Sequence, residues 1–389
     1  MASLADRLVS AVGDDRREAG FVMRASYQPV GGPGGRLMPP TFPPPTKGAL
    51  PVYLMEPRRY QDAVRESVVL DQVPSQANRV EQALLTATRA GRVALPLLQL
   101  EAKVNGGLEV LTSLDFPHRY ADAYLRDSQL DGVRFHDSEL GRRLRAADIR
   151  DARALYRREP YSAVLGAWDS HRKGVQPRFA RVYTSEMYGL DPVVGTRYGG
   201  RMDPFNLSGA AKGDKGDPDW QYVAGGEKVK GSKLSERGHG NIAPNPAIGG
   251  VTVSEVHRRG WVSFAGLERL GFGDASPQAA QLARATLAAL AVAGDRLAFG
   301  RPSLMLRSGC DLTRVQETLG FELDGGELEP VQVSAAEALA AFVELRDRTA
   351  DAGIVMDSDV VALEPAPQLA EAIRFSLTQA APADTDTAA

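Results

Sequence analysis

Apolar positions recur along this chain in two rhythms, helical and alternating. Ser3 to Val12 has helical spacing and predicts a short amphipathic helix. From Phe21 to Val30 the pattern alternates, with Phe21, Met23, Ala25 and Tyr27 on one side and Val22, Arg24 and Ser26 on the other, which predicts a strand. Gly31-Gly32-Pro33-Gly34-Gly35-Arg36 and the prolines up to Pro45 exclude regular structure there. Next come a buried strand over Val68-Val69-Leu70, a helix over Ser75 to Ala90 and a strand over Val93 to Leu100. Pro117 to Asp127 and Ser138 to Ala147 read as helices, Tyr161 to Trp168 as a strand, and Pro177 to Tyr188 as a helix. Gly250 to Val256 and Gly260 to Phe264 predict a hairpin turning across His257-Arg258-Arg259. An Ala/Leu-rich helix follows over Pro277 to Ala298, then a strand over Glu329 to Val333 and a helix over Ala335 to Thr349. Strands and helices interleave without a Rossmann-like rhythm, so the expected class is α+β.

Between Asn206 and Ala247 the apolar rhythm stops, and Gly, Lys, Asp and Pro dominate. Such a stretch is a disordered loop or an arm that orders on a partner. The organisation expected is one elaborated domain over 1–379, with the arm at 206–247, an acidic C-terminal segment at 311–379 and a disordered tail at 380–389. A chain of 389 residues with 43% hydrophobic content has material for a large core. Its longest apolar stretch, Leu287 to Ala293, is too short to cross a bilayer, so no membrane partner is expected. Cys310 is the single cysteine, which excludes an intrachain disulfide and a cysteine-built zinc site and makes a reducing cytoplasm the natural compartment.

The net charge of −3 hides a split. Gly141 to Arg181 holds eleven Lys and Arg against four Asp and Glu, while Asp311 to Ala389 holds four against sixteen. A basic body can face a polyanion. The acidic end can face a basic neighbour, including another copy of the chain, or be a solvated helical face.

Three clusters carry candidate chemistry. In Leu70-Asp71-Gln72-Val73-Pro74-Ser75-Gln76-Ala77-Asn78-Arg79, a strand gives way to a helix with Ser75 as the candidate N-cap. Free N–H groups at a helix start suit a phosphate, Gln76 and Asn78 add amides, and Arg79 adds a planar fork. The second cluster, Trp168 to Arg181, holds Ser170, His171, Arg172, Lys173, Arg178 and Arg181 and reads as a basic loop or a solvated one. The third, Lys228 to Ile242, with Lys228, Lys230, Lys233, His239 and Asn241, reads as a flexible basic arm.

In their order these pieces resemble the backbone subunit of the type I-G (formerly I-U) CRISPR effector complex, a RAMP-type protein. The resemblance runs from about Phe21 to about Arg307. It includes the glycine-then-proline run Gly31 to Phe42, Asp71 to Glu81, Pro117-His118-Arg119-Tyr120-Ala121-Asp122-Ala123 and Leu125-Arg126-Asp127-Ser128. It continues through Leu130-Asp131-Gly132, Gly166-Ala167-Trp168-Asp169-Ser170, Phe179-Ala180-Arg181, Arg201-Met202-Asp203-Pro204, Lys233 to Ile242 and Gly249-Gly250-Val251-Thr252. Two positions depart from the family pattern: Gly238 stands where an asparagine usually precedes His-Gly-Asn, and Arg178 stands where lysine is expected before Phe-Ala-Arg.

The resemblance implies a ferredoxin-like, RRM-type palm with inserted helical fingers and a thumb-like arm. It implies copies stacked along a guide RNA that is presented to target DNA, alongside other effector subunits and a recruited helicase-nuclease. By the same resemblance Ser75, Gln76, Asn78 and Arg79 contact the guide backbone. Further RNA contacts are expected at Arg36, His118, Arg119, Ser170, Arg172, Lys173, Arg178, Arg181, Lys228, Lys230, Lys233, His239 and Asn241. Tyr120 and Trp220 are the candidate stacking aromatics.

Enzymatic readings find little support in the sequence. His118 and Asp122, four apart, make half a metal site without a second half, and no P-loop or dinucleotide motif occurs. The expectation is a scaffold with no catalytic residue, metal or cofactor. The alternative is a metal-dependent ribonuclease of the RAMP type, drawing on Asp71, Asp169 or Asp203.

Overall fold

A computed structural model describes residues 2–378 except 105–106, 171–177, 214–217 and 225–233. Helix α1 (Leu4–Ala11), capped by Ser3, leads into β1 (Glu18–Pro29). Strands β2 (Met55–Tyr60) and β3 (Ala63–Asp71) precede α2 (Val73–Arg89). After β4 (Leu97–Val104) and β5 (Gly107–Thr112), short helical pieces lead to α3 (Pro160–Leu165). Strand β6 (Tyr183–Leu190) runs into the long pair β7 (Val193–Arg201) and β8 (Ile242–Thr252), and β9 (Glu255–Ser263) returns. Helix α4 (Pro277–Phe299), β10 (Ser303–Arg307), β11 (Cys310–Leu323), β12 (Leu328–Val331), α5 (Ala335–Asp351), β13 (Val360–Pro365) and α6 (Pro367–Thr378) complete the chain.

The main sheet has the order β10-β11-β1-β9-β6-β3-β2, antiparallel throughout, with β12 added beside β11. Its centre, β11-β1-β9-β6, together with α2 and α4, is a βαββαβ unit in ferredoxin-like order. The α+β class and the RRM-type palm are therefore present. Helices α1, α2, α4 and α5 pack together on one face, and α4, rich in Ala and Leu, is buried along almost its whole length. A second sheet, β5-β4-β13 plus two short strands near residue 130, forms beside the palm; there β13 runs parallel to β4.

Three expected elements are corrected. The apolar run from 161 is α3, a helix buried on all sides and started by Pro160, with only Ala167 and Trp168 extended. Residues 183–190 are strand β6, whose first residues alternate between buried and half-buried. The expected hairpin does not form: β8 pairs with β7 and β9 with β1 and β6, the chain passes from one to the other at Val253 and Ser254, and His257, Arg258 and Arg259 lie inside β9, with Arg258 wholly buried. The acidic segment is built into the fold, because β11 pairs along most of β1 and α5 packs on α4. The arm starts earlier than expected, as the β7–β8 ladder from Val193.

Candidate nucleic-acid interface

Asp71 ends β3 with its side chain fully buried. Its Oδ1 accepts from the Ser75 hydroxyl at 2.6 Å, and its Oδ2 accepts from the Gln76 amide and from Arg79 Nε at 2.8 Å. Ser75 is therefore not the N-cap. Helix α2 starts two residues earlier, behind Gln72, with Pro74 in its first turn, where a missing N–H is tolerated. The Asp71 carboxylate beneath the helix start complements its dipole. Gln76 is wholly buried, and its Oε1 accepts from Ser185 at 2.7 Å and from Arg258 at 3.2 Å. Arg79 also donates to the Leu306 carbonyl at 3.0 Å, tying α2 to β10. Ser75, Gln76 and Arg79 thus lock the helix to the sheet, and the Gln76 amide does not face solvent.

The exposed side of α2 behaves differently. Asn78 points outward and, with Gln82 one turn on, lines a groove of about 290 Å³ closed by Phe116, Pro117, Arg119 and Arg181. Arg119 has left-handed backbone (φ 52°), rare outside glycine. Its side chain is buried, paired with Glu81 at 2.6 Å and donating to the Gly166 carbonyl at 2.7 Å. Burial pushes the Glu81 carboxyl up, and Arg119 opposes that shift. Gly166 (φ 85°) has no room for a side chain, since a Cβ would lie 2.8 Å from Arg181 Cγ. That close approach lets Arg119 and Arg181 converge. Arg119 is committed to Glu81, whereas Arg181 is exposed and makes no ion pair among the described residues. His118 is exposed beside them, with its backbone N–H donating to Asp122 at 3.2 Å.

Next to this groove, Arg178 stacks over Trp168, 4.3 Å from the ring centroid, and Ser170 is exposed in the adjoining loop. Arg172, Lys173, Lys228, Lys230 and Lys233 lie outside the described residues. Tyr120 is buried, and Trp220 sits on the arm, near Arg237 and His239.

The arm's base is braced by Arg36, which lies against Gly195 and Gly250; at Gly250 (φ 87°) a Cβ would meet the Leu37 carbonyl at 2.6 Å. At its far end two motifs interlock. Asp203 accepts backbone N–H donations from Gly240 at 2.7 Å and Phe205 at 2.9 Å, contacts that hold its carboxyl below the usual range. Arg201 donates to the His239 carbonyl at 2.7 Å, and the Asn241 amide oxygen accepts from the Asp203 N–H at 2.6 Å. His239 and Asn241 therefore shape the arm, and that rigid turn displays Met202 and Phe205, 91% and 86% exposed.

Residues 21–193 match the family model described as CRISPR-associated protein GSU0053. That segment, somewhat under half of the chain, is similar to a CRISPR-associated protein family. The match includes the Asp71 lock, the α2 groove and Arg181, while most of the arm lies beyond it. No curated protein matches the chain. No helix among the described residues is long and apolar enough to cross a membrane.

Sequence reasoning singled out Asn78, Arg119 and Arg181 separately, and the structure brings them to one groove. It missed Gln82, although the four-residue spacing from Asn78 places both on one helical face. It also missed Glu81 and Gly166, whose roles depend on partners 38 and 47 residues from them.

Proposed function

We propose that this chain is a non-catalytic scaffold of a type I-G CRISPR effector complex. Copies of it oligomerise along a guide RNA and present the guide to target DNA, while other subunits and a recruited helicase-nuclease complete the assembly. The observation that carries this reading is the α2 groove, which lies inside the family-matched segment and combines two amides, an exposed arginine and an apolar wall, with one carboxylate, Asp115, whose Oδ2 is occupied by the Thr112 N–H and hydroxyl. Amides and a guanidinium recognise a sugar-phosphate backbone without reading its sequence. The displayed apolar pair on the arm marks a contact surface. The non-catalytic part rests on the aspartates. Both oxygens of Asp71 are engaged by Ser75, Gln76 and Arg79, and Asp203 organises backbone amides.

Replacing both Asn78 and Arg181 with alanine is expected to weaken single-stranded RNA binding and to flatten its salt dependence by about 0.7 log per log unit for each phosphate no longer neutralised. Titration of labelled RNA at several salt concentrations checks this; unchanged affinity and slope would remove the groove from the interface. Incubation of labelled RNA with the protein and Mg²⁺ or Mn²⁺ should leave the RNA intact, and cleavage abolished by Asp71→Ala would refute the scaffold reading.

A further inference from the structure

The helix-free face of the main sheet holds two features that folding does not require. Along β9 the side chains alternate: Val256, Arg258 and Val262 are buried on the helix side, while Arg259 and Trp261 point the other way. Trp261 is 40% exposed although its strand is central, flanked by β1 and β6. Its cross-strand neighbours are Val22 and Thr184. Two residues on, Arg259 lies directly opposite Arg24 of β1. Like charges facing each other across antiparallel strands destabilise a sheet.

Local carboxylates do not neutralise this pair fully. Glu186, opposite Arg259 on β6, is held by both terminal nitrogens of Arg58 at 2.7 and 3.0 Å. Arg24 is paired with Glu322, and Arg259 has no ion pair among the described residues. The other half of the face is closed, because His257 lies between the rings of Tyr60 and Tyr188. The open half therefore combines one part-exposed indole with two arginines, one of them without an ion pair among the described residues. An aromatic face beside cationic side chains suits single-stranded nucleic acid, since every base offers a π-face and every linkage a charge. RNA-binding sheets of this topology stack bases on aromatics of their strands. Thr184, beside Trp261, is three residues from Arg181 of the groove, at most about 10 Å along the chain. One strand can reach both.

We propose that Trp261 is a base-stacking residue, and that Arg259, with Arg24, holds the adjoining phosphate. This rests on the reading that the chain binds single-stranded RNA, and it extends that contact from the α2 groove to the open sheet face.

The test uses a labelled single-stranded RNA and the full chain, with Trp261→Ala, Trp261→Phe and Arg259→Ala, each checked by thermal unfolding. Trp261→Ala should weaken binding about 5- to 100-fold. Trp261→Phe, which keeps an aromatic face, should recover most of that affinity, and Arg259→Ala should lower the salt slope by about 0.7. If Trp261→Ala and Trp261→Phe both bind like the unaltered protein while the Asn78/Arg181 double variant binds weakly, the sheet-face inference is overturned and the RNA-binding reading stands. If the unaltered protein binds no RNA, both fall. If Trp261→Ala leaves RNA affinity unchanged but lowers the mass of a protein-only oligomer, the occupant is a second copy, which also overturns the proposal.

Discussion

Asp295→Ala is expected to destabilise the protein by about 3–5 kcal/mol, a large fraction of the stability of any domain. Asp295 and Arg258 form an ion pair in which neither side chain is more than 1% exposed. Tyr183 donates to the same carboxylate oxygen at 2.8 Å, and the Arg258 guanidinium lies 3.7 Å from the centroid of the Phe299 ring. Removing the aspartate leaves a guanidinium in the core without a counter-charge. That penalty exceeds the net value of the intact pair, because two buried charges give back in attraction roughly what they forfeited in hydration. A second change, Arg258→Met, should therefore recover much of the stability. Urea unfolding of the single and double variants decides it, and a double variant no more stable than Asp295→Ala would contradict the account. The effect also bears on function. Arg258 contacts Gln76, Gln76 contacts Asp71, and Asp71 contacts Arg79, so this chain of bonds fixes the helix that walls the α2 groove.

The second large effect concerns Glu159, at the start of α3, which has no solvent exposure. Neither carboxyl oxygen makes a well-formed hydrogen bond, although Ser113 approaches. Burial pushes its pKa up to about 8, with Glu81 adding to the shift and Ser113, Arg119 and Arg158 opposing it. The folded-state value lies above the ordinary carboxyl value of 4.5. Stability from the neutral acid is thus fully present below pH 4.5 and is lost as pH rises towards 8. At pH 7 the loss is on the order of 3 kcal/mol. Glu159→Gln stays neutral at every pH. Relative to the unaltered protein it should gain about that much stability between about pH 4.5 and 7. Denaturant unfolding at the two pH values measures the difference, and a variant whose advantage does not grow with pH would show that Glu159 is solvated.

How much of this was legible in the sequence depends on the range of the interaction. Helices α4 and α5 are visible because their signals are local: Ser276 caps α4 ahead of Pro277, and Ser334 forms a capping box with Glu337. Strand β1 is visible because Met23, Ala25, Tyr27 and Pro29 are buried in alternation with half-buried Arg24, Ser26 and Gln28. The run from 161 misleads because a short, wholly apolar stretch carries no period, and there Pro160 was the better guide. Strand β11 is hidden by its own polarity: Thr313, Arg314, Gln316 and Glu317 dilute its apolar positions, and only the pairing with β1 makes it a strand. The motif at Ser75 to Arg79 was legible as a special helix start. Its engagement was not, because Ser185 and Arg258 lie 109 and 182 residues from Gln76. Trp261 and Arg259 looked like ordinary strand and turn residues until the register placed Arg259 against Arg24.

Purification of the chain expressed with a CRISPR repeat array, with particle mass and nucleic-acid absorbance read together, decides whether it coats a guide RNA. The expected product is a particle holding several copies of the chain on one discrete small RNA, with that RNA lost in the Asn78→Ala, Arg181→Ala double variant. A monomer free of nucleic acid, with or without the array, would contradict it.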